Sequence, residues 1–261
     1  MAKANFTSIN VVMDKSGSMS SLRDDTIGSF NQFLTEQQSL TNDETIFSLA
    51  LFNDKYEMVY DCVPITEVKP LTSEKYSPDG WTALHDAVAK TINNTSAKFK
   101  AMKEEDRPSK IILVVITDGH ENSSREFNAA KVRTLLDLHQ SEYKWQVVYL
   151  GAGSEMFDTK EQAMDMGFTK SSSYSYNSTQ RGTQSLYSNA SFSVANYRLG
   201  NTMSLCMDQE ALISNKIQDV SSLINTDTSK VSSASTLVST ETMTVPSDAS
   251  VQTNTASPDN K

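Results

Sequence analysis

Apolar positions along the chain follow two different spacings. Residues 111–116 form a continuous apolar run, and residues 9–13 form a second apolar run interrupted only by Asn10; such runs are typical of strands buried on both faces of a parallel sheet. Residues 145–150 form a third, less regular run. Between the runs, apolar residues recur every three or four positions, which indicates amphipathic helices. This alternation predicts a doubly wound α/β fold, with a mostly parallel central sheet and helices on both faces.

Two β-rich segments interrupt the alternation near the start of the chain. Residues 45–52 and 56–63 are separated by only three residues, a connection so short that it permits only an antiparallel pair. One of the two is therefore expected at an edge of the sheet. The remaining predicted elements are helices over 21–38, 83–100, 129–138, 156–166 and 183–197 and a strand over 168–176.

The composition changes beyond the last predicted helix. Residues 203–224 keep some helical periodicity, whereas residues 226–261 are rich in Ser and Thr and too polar to build a core of their own. The expected organisation is a domain over 5–200, a helical extension over 201–225 and a disordered tail over 226–261.

Charge and cysteine content exclude several classes of protein. The formal net charge of −9 argues against nucleic-acid and anionic-membrane partners, because such partners need clustered Lys and Arg. The first residues lack the pattern of a signal peptide, and no apolar run approaches the roughly 20 residues of a membrane span. We therefore expect a soluble, cytoplasmic protein. Cys62 and Cys206 are expected to be free buried thiols rather than zinc ligands or a disulfide.

Oxygen-bearing side chains cluster directly after the first predicted strand. Asp14, Ser16 and Ser18 stand at alternate positions, and the carboxyl end of a strand is where α/β sheets place their ligand sites. One carboxylate and two hydroxyls suit Mg²⁺, which takes oxygen ligands in octahedral geometry and keeps several waters. Three ligands are too few, so we expect two more: Thr82, before the second helix, and Asp118, after the strand at 111–116.

The five residues lie in short motifs with a fixed order. DKSGS contains Asp14, Ser16 and Ser18, GWTALHDAV contains Thr82, and ITDG contains Asp118. In this order the motifs resemble the metal-ion-dependent adhesion site (MIDAS) of von Willebrand factor type A (vWA) domains, over roughly residues 5–200. The resemblance implies that the two serines and the threonine contact the ion, directly or through water. It also implies that the two aspartates often act through bridging waters.

The resemblance implies a non-catalytic binding module. Two carboxylates neutralise Mg²⁺ and hydroxyls add no charge, so an open coordination position is expected to accept an Asp or Glu of a protein partner. Mn²⁺ and Ca²⁺ are the alternative metals. Members of the family inside cells often work beside AAA+ ATPases or in stress-response complexes, which are therefore candidate partners.

Two other function classes fit parts of the pattern. Asp residues at the ends of the first and fourth strands also describe Mg²⁺-dependent phosphatases or phosphotransferases of the haloacid-dehalogenase type. Those enzymes usually need a second carboxylate two residues after the first, and Ser16 stands there. A dinucleotide-binding module lacks its G-x-G-x-x-G motif.

Several residues near the motifs have more than one interpretation. His120 and Glu121 are interpreted as solvated loop residues, with the rim of the metal site as the alternative. Asp86 is either a supporting partner of the site or an exposed first-turn carboxylate. His85 and His139 are predicted at the surface. Trp81 is predicted either in the core or on the rim.

Overall fold

A single mixed sheet organises the chain. The computed structural model describes residues 2–153, 159–177, 179–202 and 205. Its strands in these ranges are β1 (Lys3–Asp14), β2 (Glu44–Phe52), β3 (Tyr56–Pro64), β4 (Pro108–Thr117), β5 (Gln146–Gly153) and β6 (Ser173–Asn177). The order is β3-β2-β1-β4-β5-β6, and β2 with β3 is the antiparallel pair in the described part of the sheet. The prediction of a mostly parallel sheet with an antiparallel strand at one edge is confirmed.

Helices cover both faces of the sheet. They are α1 (Arg23–Gln38), α2 (Leu84–Ala101), α3 (Ala129–Ser141), α4 (Thr159–Asp165) and α5 (Gln180–Leu199). Apolar residues of α1 and α5 pack in one core cluster, and those of α2, α3 and α4 pack in the other. The doubly wound architecture expected from the alternating pattern is therefore confirmed.

The central strands divide their side chains between the two cores. In β1, Val11 and Met13 belong to the cluster with α1 and α5, whereas Val12 belongs to the cluster with α2 and α3. The neighbouring β4 alternates in the same way through residues 112–116. Each fully buried aliphatic side chain contributes roughly 2 kcal/mol by leaving water, so the apolar runs, interrupted in β1 by Asn10, favour β1 and β4 in the middle of the sheet.

The pairing of these strands aligns their carboxyl ends. In the parallel ladders, Asp14 lies beside Phe52 of β2, and Met13 lies beside Ile116 of β4. Asp14 and Thr117 therefore end neighbouring strands at the same end of the sheet. The loops that follow β1 and β4 begin side by side at these carboxyl ends.

A buried arginine joins α5 to the amino-terminal end of β2, opposite the carboxyl ends of β1 and β4. Arg198 of α5 donates from Nη2 to Asp43 Oδ1 at 2.8 Å and to Thr45 Oγ1 at 2.9 Å, and from Nη1 to the Gln37 carbonyl at 2.6 Å. The Arg198 side chain is fully buried. These contacts join α5 to the end of α1 and to the start of β2.

Several sequence expectations need correction or lie outside the described residues. The strand predicted over 168–176 is shorter, because residues 170–172 form a 3-10 turn before β6. The surface prediction for His139 is wrong: its ring packs 4.6 Å from that of Trp145 and its Nε2 contacts Ser96 Oγ. Cys62 is half-buried and free.

The end of the chain falls almost entirely outside the described residues. Cys206, most of the predicted extension at 201–225 and the whole predicted tail at 226–261 lie there. The proposed division of the chain therefore stays a prediction. Within the described ranges, no helix combines the length and apolar character that crossing a membrane requires.

Candidate metal centre

Asp14 is the buried origin of the site. It is the last residue of β1 and is completely buried. Its Oδ1 accepts a hydrogen bond from the Ser16 amide at 2.7 Å, and its Oδ2 accepts one from Thr117 Oγ1 at 2.6 Å. The Tyr76 hydroxyl donates to the main-chain carbonyl of Asp14 at 2.6 Å. The carboxylate therefore has one fixed orientation.

A line of oxygens runs from this carboxylate to the loop after β4. Ser16 Oγ and Ser18 Oγ are 3.1 Å apart, and Ser18 Oγ donates to Asp118 Oδ1 at 2.6 Å. Ser16 and Ser18 come from the loop after β1, and Asp118 follows β4. The two loops meet because their strands are neighbours in the sheet.

Thr82 reaches the same point from a third loop. A Cβ built on Gly119 would lie 2.9 Å from Thr82 Oγ1 and 3.3 Å from Asp14 Oδ2. Both oxygens therefore surround one small space, and only a residue without a side chain lets the loop after β4 pass between them. The Thr82 amide donates to Asn122 Oδ1 at 2.8 Å, and its carbonyl accepts from the Asn122 amide at 3.0 Å. Thr82 is thus held by the loop that also carries Asp118.

The loop before Thr82 is tied to the loop after β1. The Asp79 amide donates to the Lys15 carbonyl at 2.9 Å, and the Gly17 amide donates to the Gly80 carbonyl at 3.1 Å. Asn53, after β2, donates from Nδ2 to Asp79 Oδ1 at 2.7 Å. Gly80 has a φ of +74°, a left-handed conformation that suits glycine. These bonds fix the three loops relative to one another.

Both carboxylates of the cluster carry an electrostatic cost. Burial raises the pKa of Asp14 to about 6, even though the Thr117 hydroxyl and Ser16 donate hydrogen bonds to its charged form. Burial also raises the pKa of Asp118. The negative charge of the partly buried Asp118 adds to this cost for Asp14, because like charges disfavour each other. A divalent cation between them would remove that cost.

The donor set fits a hard divalent ion. The cluster offers two carboxylates and three hydroxyls, which are the oxygen ligands that Mg²⁺, Mn²⁺ and Ca²⁺ take in proteins. In the described part of the chain, no group of three or more His, Cys, Asp or Glu is placed to hold a metal. A site based on thiolate or imidazole ligands is therefore absent from those residues.

All five predicted site residues are brought together, but the residues around them have other roles than expected. Glu121 is not a solvated loop residue: its Oε1 accepts from the Ser124 amide at 2.7 Å, and its Oε2 accepts from the His85 amide at 2.9 Å, at the start of α2. His120 is exposed. His85, predicted at the surface, is instead partly buried, and burial lowers its pKa.

Asp86 supports the neighbouring loop rather than the cluster. It accepts backbone hydrogen bonds from Arg125 at 3.0 Å, from Glu126 at 3.0 Å and from Phe127 at 2.8 Å. Burial raises its pKa, but these three bonds outweigh burial, so its pKa lies below the ordinary value. Neither interpretation of Asp86 from the sequence included this role.

Sequence reasoning missed Thr117 and Tyr76, the residues that orient Asp14. Thr117 stands inside ITDG, directly before Asp118, so its position in the motif was a usable signal. Tyr76 lies in a loop without periodicity, and its contact with the end of β1 depends on how that loop folds over the sheet. No local pattern indicates such a contact.

Comparisons with known proteins agree with this architecture. A model of the von Willebrand factor type A domain matches residues 8–189. The zinc-occupied MIDAS form of proximal thread matrix protein 1 from the mussel byssus is 14% identical, with a TM-score of 0.53, over 72% of this chain and 48% of that chain. The PilB minor pilin from Streptococcus sanguinis is 10% identical, with a TM-score of 0.53, over 72% of this chain and 61% of that chain.

These structural similarities concern the fold alone, because the identities are low. The aligned part also spans less than two thirds of either solved protein. Comparison with curated protein sequences found no match.

Proposed function

Because the chain belongs to the von Willebrand factor type A domain family, we propose that it is a non-catalytic binding module. In this proposal a divalent metal at the cluster captures an acidic side chain of a protein partner. The observation that carries the proposal is the convergence of five oxygen-bearing side chains from three loops: Asp14, Ser16, Ser18, Thr82 and Asp118.

The charge balance of the cluster supports capture of an acidic group. Asp14 and Asp118 together neutralise a divalent ion, whereas the three hydroxyls leave its charge unchanged. An ion of this kind still favours one more anionic oxygen, and octahedral Mg²⁺ readily exchanges a water for a carboxylate. Zinc at the MIDAS of the mussel protein supports a divalent ion at this motif. For this chain we propose Mg²⁺, with Mn²⁺ or Ca²⁺ as alternatives.

The contacts around the serines support binding rather than catalysis. A nucleophilic serine needs an adjacent base. Ser18 Oγ donates to the Asp118 carboxylate and lies 3.1 Å from Ser16 Oγ. In the proposed site Asp14 and Asp118 are both engaged by the metal, so neither carboxylate is left to act as that base. The hydroxyl at position 16 also replaces the second carboxylate of the haloacid-dehalogenase type. The comparisons give that alternative no support, since the matching family is a different one.

The identity of the partner stays a prediction. The AAA+ ATPases and stress-response complexes implied by the resemblance are candidate partners. The cytoplasmic location is likewise still a prediction. The site itself restricts only the chemistry: the partner must present an accessible Asp or Glu.

Metal titration tests the proposal directly. Isothermal titration calorimetry of the wild-type chain with Mg²⁺, Mn²⁺ and Ca²⁺ should give one binding site. Asp14→Ala and Thr82→Ala should each lower the affinity for the metal at least about tenfold. Ser20→Ala removes an exposed hydroxyl just beyond the cluster and is the matched control. Equal metal affinity in Asp14→Ala and wild type would contradict the proposed site.

A second experiment separates binding from catalysis. Hydrolysis of a generic phosphate ester, such as p-nitrophenyl phosphate, should stay at background with every metal. Metal-dependent turnover that Asp14→Asn abolishes would instead favour the phosphatase alternative.

A further inference from the structure

Trp81 is the most exposed large apolar side chain in the described part of the chain. Its side chain is 67% exposed, and the next in that part, Tyr143, is 51% exposed. Trp81 immediately precedes Thr82 of the cluster. Of the two positions that the sequence left open, core or rim, the structure places it on the rim.

The loop on either side of Trp81 is fixed, so its exposure is built in. The Gly80 carbonyl accepts from the Gly17 amide at 3.1 Å, and the Thr82 amide donates to Asn122 at 2.8 Å. The next amide, that of Ala83, donates to the Asn53 carbonyl at 2.9 Å. With both neighbours bonded to other loops, the indole is directed to solvent by a rigid backbone.

Two exposed carboxylates lie close to the loop that carries the indole. Asp54 and Asp79, both exposed, lie next to Gly80. Lys15, in the loop after β1, is paired with Glu57 at 3.0 Å, and the exposed Lys55 directly follows Asp54. The face that carries the candidate metal centre therefore has exposed negative charge close to Trp81.

A cavity beside the cluster adds to this charge. Its volume is about 330 Å³, and its lining includes Glu121, Glu161 and Asp165. The described residues that line it include no Lys or Arg. Since Asp14 and Asp118 already neutralise the metal, long-range electrostatics would repel an acidic partner. A contact that does not depend on charge would therefore add to the affinity that coordination by the metal supplies.

We propose that Trp81 is this contact, an apolar anchor for the segment that carries the partner's carboxylate. The inference rests on the function proposed above and restricts the partner further. Consecutive Cα atoms are about 3.8 Å apart, and an extended segment advances about 3.3–3.6 Å per residue. The partner's Asp or Glu at the metal therefore has an aromatic or large aliphatic residue within one or two positions, and that residue packs on the indole.

The expected contribution is that of an interface hot spot. Tryptophan is enriched among the residues whose truncation weakens binding most, because the indole buries a large rigid surface. A loss of about 10- to 100-fold in affinity is expected for Trp81→Ala. Because the Trp81 side chain is exposed, Trp81→Ala removes little packed surface and should fold like wild type.

Selection from peptide libraries tests the inference with defined probes. One library of displayed heptapeptides has a fixed central Asp, and the other has a central Asn. With Mg²⁺, the full-length wild-type chain should enrich the Asp library for aromatic or large aliphatic residues within two positions of the Asp. Trp81→Ala should bind the enriched peptides about 10- to 100-fold more weakly, and Trp81→Phe should bind them nearly as well as wild type. Tyr143→Ala removes an exposed aromatic residue at the opposite end of the strands and should change nothing.

The outcomes separate this inference from the proposed function. Enriched peptides that need Asp and Mg²⁺ but bind Trp81→Ala as tightly as wild type would overturn the role of Trp81 and leave the metal-dependent module standing. Equal enrichment of the Asn library, or binding that survives EDTA, would overturn the proposed function and the inference with it.

Tryptophan fluorescence gives a direct readout of the contact. The chain has two tryptophans, and Trp145 is only 3% exposed. Acrylamide should quench Trp81 in the free protein, and a selected peptide with Mg²⁺ should protect it. Trp81→Phe reports the buried Trp145 alone and should show no such protection. Unchanged quenching of the wild-type chain at saturating peptide would contradict packing on the indole.

Discussion

Replacing Asp14 by Asn should make the metal-free protein more stable at neutral pH while abolishing its response to metal. Burial raises the pKa of Asp14 from 3.8 to about 6. Between these two pH values the folded protein holds a proton that the unfolded chain has lost, so stability falls as the pH rises through this range. Above the folded pKa the cost is constant at about 3 kcal/mol.

The expected gain is somewhat smaller than this cost. Asn resembles the protonated carboxyl, and its carbonyl oxygen can still accept from the Ser16 amide. Its amide group faces Thr117 Oγ1, and one of its two N–H bonds has no acceptor there, which costs about 1 kcal/mol. Asp14→Asn should therefore stabilise the metal-free protein by about 2 kcal/mol at pH 8, and the difference should shrink towards zero near pH 4.

Bound Mg²⁺ should make the wild-type protein more stable than Asp14→Asn. At Mg²⁺ concentrations about 100 times the dissociation constant, the wild-type protein gains about 3 kcal/mol, whereas Asp14→Asn gains little. Urea unfolding followed by circular dichroism, in EDTA and in Mg²⁺ from pH 4 to pH 8, measures both effects. Asp137→Asn, an exposed carboxylate on α3, is the control and should respond to neither. A lower stability of Asp14→Asn than of wild type in EDTA at pH 8 would show that the buried charge of Asp14 does not destabilise the metal-free fold.

Three further predictions concern other parts of the structure. Arg198→Met should lower the free energy of unfolding by about 3–5 kcal/mol, because it leaves the Asp43 carboxylate buried and unpaired; adding Asp43→Asn should recover part of the loss in urea titrations. Gly119→Ala should weaken Mg²⁺ binding at least about tenfold in calorimetry, because the new Cβ would lie 2.9 Å from Thr82 Oγ1. Burial lowers the pKa of His139, so stability should fall as the pH drops below about 6.5, and His139→Gln should flatten this fall in thermal midpoints.

The sequence by itself determined the architecture and the members of the candidate site. Apolar runs such as residues 111–116 are typical of strands in the middle of a sheet, and helical spacing assigns the segments between them to its faces. Asp14, Ser16 and Ser18 lie within five residues of one another, and Thr82 and Asp118 each adjoin a predicted element. Such residues can be identified without knowledge of the fold, because their spacing along the chain is itself the signal.

Only the tertiary structure decided what the neighbouring residues do. Glu121 is interpreted from the sequence as a solvated loop residue or part of the rim, and Asp86 as a supporting partner of the site or an exposed carboxylate. Each instead accepts hydrogen bonds that join α2 to the loop after β4. His139 reads as a surface residue of a helix, yet Trp145 and Ser96 cover it. Trp81 was equally compatible with core and rim until hydrogen bonds from two other loops fixed its direction. The partners of these residues are distant in sequence, and the pairing of strands that brings such partners together leaves no periodic signal in the residues themselves.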